Sequence, residues 1–196
     1  MTSFKLGEAE AGFDNEEEVS EVLEEAKDGA ERDPSASLIK IDAAMRTNPQ
    51  AAANALTSGK AKSAFESAAL KLVTDSSTRT LKAQGASQPT TLVLDGDADV
   101  AIMIEYLPSQ PRLREAADLA RRARETGAKR VLVVTNEAIP EKSADFIKLM
   151  SSGKPQLDFI SVAGGIIDQL RLSERLQKVG IDAKVDTMPA RDESKL

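Results

Sequence analysis

The sequence predicts an α/β domain, a mixed central β-sheet flanked by helices, preceded by a helical N-terminal extension. Three patterns predict it. Alanine-rich apolar stripes recur at helical spacing in Lys60 to Thr74 and in Pro111 to Glu125. Between them stand short β-branched, apolar runs at Thr90 to Leu94 and Val100 to Tyr106, joined through the hairpin signal Asp95-Gly96. Beyond Glu125 strand-like and helix-like stretches alternate, and strand–helix–strand crossovers force parallel pairing where the hairpin forces antiparallel pairing.

The elements follow in order. Val19, Val22, Leu23 and Ala26 recur at helical spacing behind Asp14, a capping residue with Glu17 three positions on, and Gly29 follows, which predicts a short amphipathic helix at 15–28. Leu38, Ile41, Ala44 and Met45 mark a second helix over Ala36 to Arg46, and Asn48-Pro49 opens a third. A fourth, from Lys60 to Thr74, carries Ala61, Ala64, Phe65, Ala68, Ala69 and Leu72 on one face, with Glu66 near its middle. Strands are expected at Arg79 to Gln84, Thr90 to Leu94 and Val100 to Tyr106, the last ended by Leu107-Pro108. Pro111 opens a helix with Leu113, Ala116, Ala117, Ala120 and Ala123 inward and Gly127 at its end. A buried strand at Arg130 to Thr135, a helix from near Pro140 with Phe146, Ile147 and Met150, a strand at Leu157 to Ala163, a helix from Gly165 to Val179 and a strand at Ile181 to Thr187 complete the domain. The expected division is an acidic arm at 1–33, one α/β domain at 34–187 and a polar tail at 188–196.

Composition excludes whole classes of chemistry. With no cysteine and no histidine in 196 residues, thiolate nucleophiles, imidazole bases and the usual zinc ligand sets are absent. Carboxylates with a hard cation remain, together with lysine, tyrosine and hydroxyl chemistry. No apolar run approaches the roughly 20 residues that span a bilayer, and the N-terminus lacks an apolar signal core, so the expectation is a soluble cytoplasmic protein without membrane contact.

The net charge of −6 hides an asymmetry: residues 1–33 carry twelve acids against three bases, −9, which leaves +3 on the rest. A one-sided apolar stripe in such an arm must pack on its own body, on a second copy or on a protein partner, and the arm could mask a basic surface. That surface is expected between Pro111 and Arg130, where Arg112, Arg114, Arg121, Arg122, Arg124, Lys129 and Arg130 outweigh Glu115, Asp118 and Glu125 by four charges. Arg114, Arg121 and Arg124 share a broad helical sector, so Arg112, Arg114, Arg121, Arg124, Lys129 and Arg130 are the candidates for DNA or RNA phosphates, beside the alternative of a solvated helix face. Aromatics make up only 3% of the chain, which leaves few side chains for base stacking. Asp95, Asp97 and Asp99 suggest a calcium loop but lack the glycine and glutamate it needs at Val100 and Tyr106, and Gly164-Gly165 at a strand–helix junction is an alternative anion site.

The order helix 60–74, strands 79–84, 90–94 and 100–106, helix 111–125, strand 130–135 resembles the αβββαβ core of the restriction-endonuclease-like, or PD-(D/E)xK, nuclease fold, here with an added αβαβ. The text Asp-Val-Ala-Ile-Met-Ile-Glu-Tyr at 99–106 and Gly-Ala-Lys-Arg-Val-Leu-Val-Val-Thr-Asn at 127–136 is similar to the third and fourth strands of such domains, and the resemblance covers about residues 59–163. It implies a divalent-cation site with an aspartate on the second strand, a glutamate on the third, and a lysine two residues on that assists the attacking water. Glu105 matches the glutamate. Leu107 stands at the lysine position, and Thr90-Thr91-Leu92-Val93-Leu94 offers no acid. Glu66 stands for the acid that some members place on the first helix, or is a helix-surface residue. The expected function is thus a catalytically degenerate nuclease-fold domain, needing no cofactor, that serves as a nucleic-acid-associated binding or assembly module. Two alternatives stay open: a divergent nuclease holding Mg²⁺ or Mn²⁺ on Asp97, Asp99 and Glu105, and a protein-binding adaptor without nucleic-acid affinity.

Overall fold

A computed structural model describes residues 16–85, 90–109, 111–151, 154–162 and 169–182. Its elements run α1 Glu16–Gly29, α2 Pro34–Thr47, α3 Pro49–Thr57, α4 Lys60–Ser76, β1 Leu81–Ala83, β2 Thr91–Leu94, β3 Asp97–Glu105, α5 Leu113–Glu125, β4 Arg130–Thr135, α6 Glu141–Met150, β5 Gln156–Ser161 and α7 Gln169–Val179. The sheet is five-stranded in the order β1-β2-β3-β4-β5. Its first two pairings are antiparallel and its last two parallel, as the hairpin and the crossovers require. Gly96, at φ 82°, closes the hairpin in the left-handed region that a side chain disfavours.

Alternation along β3 and β4 sorts the layers. Val100, Ile102, Ile104, Leu132 and Val134 face α1 to α4 and α7 in one core. Ala101, Met103, Val131 and Val133 face Ala116, Leu119, Ala120 and Ala123 of α5 and Ile147 of α6 in the other. Both strands are therefore buried on two sides, which is why they read as unbroken apolar runs.

Three local devices set the helix starts. The Asp33 carboxylate accepts from Ala36 N–H at 2.9 Å and begins α2. Asn48 accepts from Gln50 and Ala51 N–H and begins α3. At α5 the Glu115 carboxylate turns back to the Arg112 N–H at 2.7 Å, so the helix opens two residues after Pro111.

Four differences from the sequence reading carry physical reasons. The arm is not separate over 16–33: Val19, Leu23, Ala26 and Ala30 are buried in the same core as the sheet, so the apolar stripe of α1 is spent on this body rather than left to recruit a partner or a second copy. β1 is only three residues long, flanked by the hydrogen bonds from Asp95 N–H to Thr80 O and from Gln84 N–H to Thr91 O, while Thr78 before it donates its backbone N–H to Asp182 O. β3 starts at Asp97, three residues early, where a bulge between Val93 and Leu94 lets the hairpin close tightly. On α5, Leu119 is fully buried while Ala117 is only half-buried. The expected strand at 181–187 begins outside any ladder at Ile181 and Asp182; residues 183–187, the tail, Asp14, Gly164-Gly165 and the start of the helix expected from Gly165 lie outside the described residues. Among the described residues no helix is long and apolar enough to cross a membrane.

Candidate functional site

Glu105 is the last residue of β3, paired in register with Thr135 of β4. Its odd position aims it at the α5 layer. There Arg122 Nη1 donates to its Oε1 at 2.5 Å, and the carboxylate is only 13% exposed. A largely buried acid of this kind needs a charge partner, and Arg122 supplies one from the flank of α5 beside its buried alanine face. Arg122 was not among the expected site residues. Only the pairing of helix and strand, seventeen residues apart in sequence, exposes its role.

Two residues on, Leu107 is buried in the α5–α6 core. Its N–H donates to Asn136 Oδ1 at 2.5 Å and its carbonyl accepts from Asn136 Nδ2 at 2.8 Å. This two-sided clasp ties the end of β3 to the end of β4. The place that would carry a water-activating lysine is thus a packing position with both backbone groups satisfied. Glu66, on α4, titrates above the ordinary carboxylate range: burial raises it, Lys62 works to lower it, Glu105 raises it and Arg122 lowers it. The two carboxylates therefore feel one another, with Lys62 and Arg122 balancing them.

Asp97 and Asp99 occupy the other end of β3. Six to eight residues of strand, at roughly 3.3 Å each, put them about 20–26 Å from Glu105. The three cannot share an ion, which corrects the ligand set of the nuclease alternative. Each is otherwise engaged: Asp97 Oδ1 accepts from Asp99 N–H at 3.0 Å, Asp99 pairs with Lys129, and neighbouring Asp95 pairs with Lys82 at 2.9 Å. Among the described residues no group of three acids is placed to hold a metal.

The basic candidates divide as well. Arg121 is held by Glu125 at 2.7 Å and Asp118 at 3.2 Å, and Lys129 by Asp99. Arg130 faces the opposite layer, where its guanidinium lies against Gly180 beyond α7. That leaves Arg112, Arg114 and Arg124 on the exposed side of α5 without a described ion pair, a smaller cationic patch than the sequence count of seven bases implied. The described part of the acidic arm does not cover it. Glu24 and Glu25 pair instead with Lys60 and Lys40, across the sheet from α5.

A further feature was not foreseen. A pocket of about 400 Å³ opens where β3, β4 and β5 end, with α2 and α3 forming its other wall. The C-terminal ends of parallel strands are where open α/β sheets ordinarily accept ligands. Its apolar wall includes Leu38, Met45, Leu56 and Phe65. Its polar groups are Asp42 and Arg46 from α2, Tyr106 directly after β3, and Asn136 and Glu137 directly after β4. Asp42 holds Arg46 Nε at 2.8 Å, and Asn136 is occupied by the Leu107 clasp. The Tyr106 ring packs on Phe65 with centroids 5.6 Å apart. Burial, then Glu137, then Asp42 push its phenol up to about 12. The hydroxyl thus stays protonated under an environment that resists further negative charge.

No family model, curated protein or solved structure matches the chain.

Proposed function

We propose that this chain is a non-catalytic binding or assembly module on a restriction-endonuclease-like framework. The element order and the mixed sheet, with Glu105 closing its third strand, support the framework. One observation carries the loss of chemistry: Glu105 is neutralised by Arg122 while Leu107 fills core beside it. Metal-dependent hydrolysis uses clustered carboxylates to hold the cation and a group near the nucleophile to steady developing charge. Here a guanidinium already satisfies the acid, and an aliphatic side chain replaces the cationic one.

Nucleic-acid association falls to Arg112, Arg114 and Arg124. Three phosphate contacts give a weak, salt-sensitive complex with a log–log slope near −3. The test is incubation of the intact chain with DNA and with RNA in Mg²⁺ and in Mn²⁺. The expected result is no cleavage, and a gel shift that disappears as salt rises and weakens in Arg114→Ala/Arg124→Ala. Cleavage abolished by Glu105→Gln would overturn the proposal and restore the nuclease alternative, now with Glu66 rather than Asp97 or Asp99 as the companion acid, because Glu66 is the carboxylate that feels Glu105. No shift at any salt would leave the protein-binding adaptor.

A further inference from the structure

The pocket between the strand ends and α2–α3 is the part of the molecule that the nuclease comparison does not use. Its volume, about 400 Å³, lies within the range of small-molecule sites. Leu38, Ile41, Met45, Leu56, Phe65 and Val162 make most of its wall apolar, so an occupant needs a hydrocarbon body to displace water profitably.

The polar groups then fix the head. Two carboxylates, Asp42 and Glu137, face one guanidinium, Arg46. Arg46 spends its Nε on Asp42 at 2.8 Å. Glu137 has no described ion pair, and the Tyr106 hydroxyl no hydrogen-bond partner among the described residues. One negative charge is left over, beside an acceptor-capable phenol and the π-system of Tyr106, whose ring is tilted against Phe65 at 58°. An acid next to an aromatic ring in an apolar recess is the combination that holds an ammonium group, through a charge-assisted hydrogen bond and a cation–π contact.

We infer that this pocket binds a small amphipathic organic cation, its ammonium held by Glu137 and Tyr106 and its hydrocarbon body laid against α2, α3 and Phe65. A carboxylate or phosphate ligand is disfavoured, because the one guanidinium in the pocket is already paired and Glu137 would repel the anion. Burial raises the Tyr106 phenol most, and Glu137 and Asp42, the acids that would attract a cation, raise it further. The inference rests on reading the chain as a binding module, yet the two fail separately: the nuclease assay probes Glu105, and the titration below probes Glu137.

Tyr106 is the chain's single tyrosine, and there is no tryptophan. Its emission therefore reports this pocket alone. The experiment titrates the intact protein with cyclohexylmethylammonium, cyclohexylmethanol and cyclohexylacetate, one body with three heads, following tyrosine emission and calorimetric heat. The expected result is saturable binding of the ammonium at least about fivefold tighter than either companion, the scale of one charge-assisted contact. Glu137→Gln, at a half-exposed loop position, should remove that preference and leave the unfolding midpoint in place. Asp97→Asn, at the far end of β3, should leave the preference intact. Equal binding of the three probes, tighter binding of the carboxylate, a preference that survives Glu137→Gln, or no saturable binding of the ammonium would each overturn the inference.

Discussion

The two ends of β3 hold the same kind of residue and use it in opposite ways. At its start, Asp97 and Asp99 belong to a dense acidic run, but one closes a turn and the other meets an exposed lysine. At its end, Glu105 stands alone in the sequence, yet it is nearly buried, is bound by Arg122 and adjoins the core through Leu107. Density of acids along a chain is therefore a poor guide to where their charge matters. Burial and the partner decide it, because a carboxylate in water loses little when its neighbour leaves and a carboxylate under a helix loses much.

Five substitutions test that contrast, beginning with the largest effect. Leu107→Lys restores the residue that the resemblance implies but buries an ammonium among α5 and α6. Urea unfolding should show a loss of about 3 kcal/mol or more, the scale for an uncompensated charge in a core. A loss below about 1 kcal/mol would mean that the lysine reaches Glu105 or solvent, and that the position tolerates the nuclease pattern. Next come the matched truncations Arg122→Ala and Lys129→Ala. The first strands a 13%-exposed carboxylate and should cost about 1–2 kcal/mol. The second removes a surface pair and should cost no more than about 0.5 kcal/mol. Equal costs would erase the difference between the two ends.

Asp158 on β5 supplies an intermediate case. Burial works to raise its carboxyl, but hydrogen bonds from Lys178, Arg175 and the Phe159 N–H outweigh it and hold it below the ordinary value. A depressed carboxylate adds stability that is full above the unfolded value near 3.9 and is lost as pH falls through the folded one. The stability difference between the wild type and Asp158→Asn should thus be flat above about pH 5, at no more than about 1 kcal/mol, and shrink below about pH 4. A difference that grows on acidification would contradict this sign. Smallest is a shift without a stability cost: Glu137→Gln should move the titration of Tyr106, followed by its absorbance, downward from about 12 and leave burial as the main remaining cause. An unchanged midpoint would remove Glu137 from the pocket's field.

Much of this architecture was legible before any contact was known. β4 falls at Arg130–Thr135, as its apolar run between Lys129-Arg130 and Asn136 requires, because a strand buried on both faces leaves no other reading. The hairpin glycine and the alanine faces of α4 and α5 were equally plain. The acidic arm was legible in part: charge counts weigh the exposed side of α1, whereas the stripe Val19, Leu23 and Ala26 on its inner side, plain in the sequence, packs it on its own body. A consequence is that deleting residues 1–33 would open the core rather than merely unmask a surface. The pocket was illegible because the α2 pair Asp42 and Arg46, Tyr106 after β3 and Glu137 after β4 are brought together only by the tertiary fold. Arg122 was hidden among bases of the same helix, and nothing in its spacing distinguishes the one that turns inward from those that face water.

The central claim is that Glu105 is a structural acid satisfied by Arg122. A double-mutant cycle on Glu105→Gln and Arg122→Gln, read by urea unfolding with and without Mn²⁺, tests it most directly. A coupling of about 1–2 kcal/mol that Mn²⁺ leaves unchanged is the expected result. No coupling, together with a Mn²⁺-dependent stabilisation of the wild type that Glu105→Gln abolishes, would contradict it and return Glu105 to the role of a metal ligand.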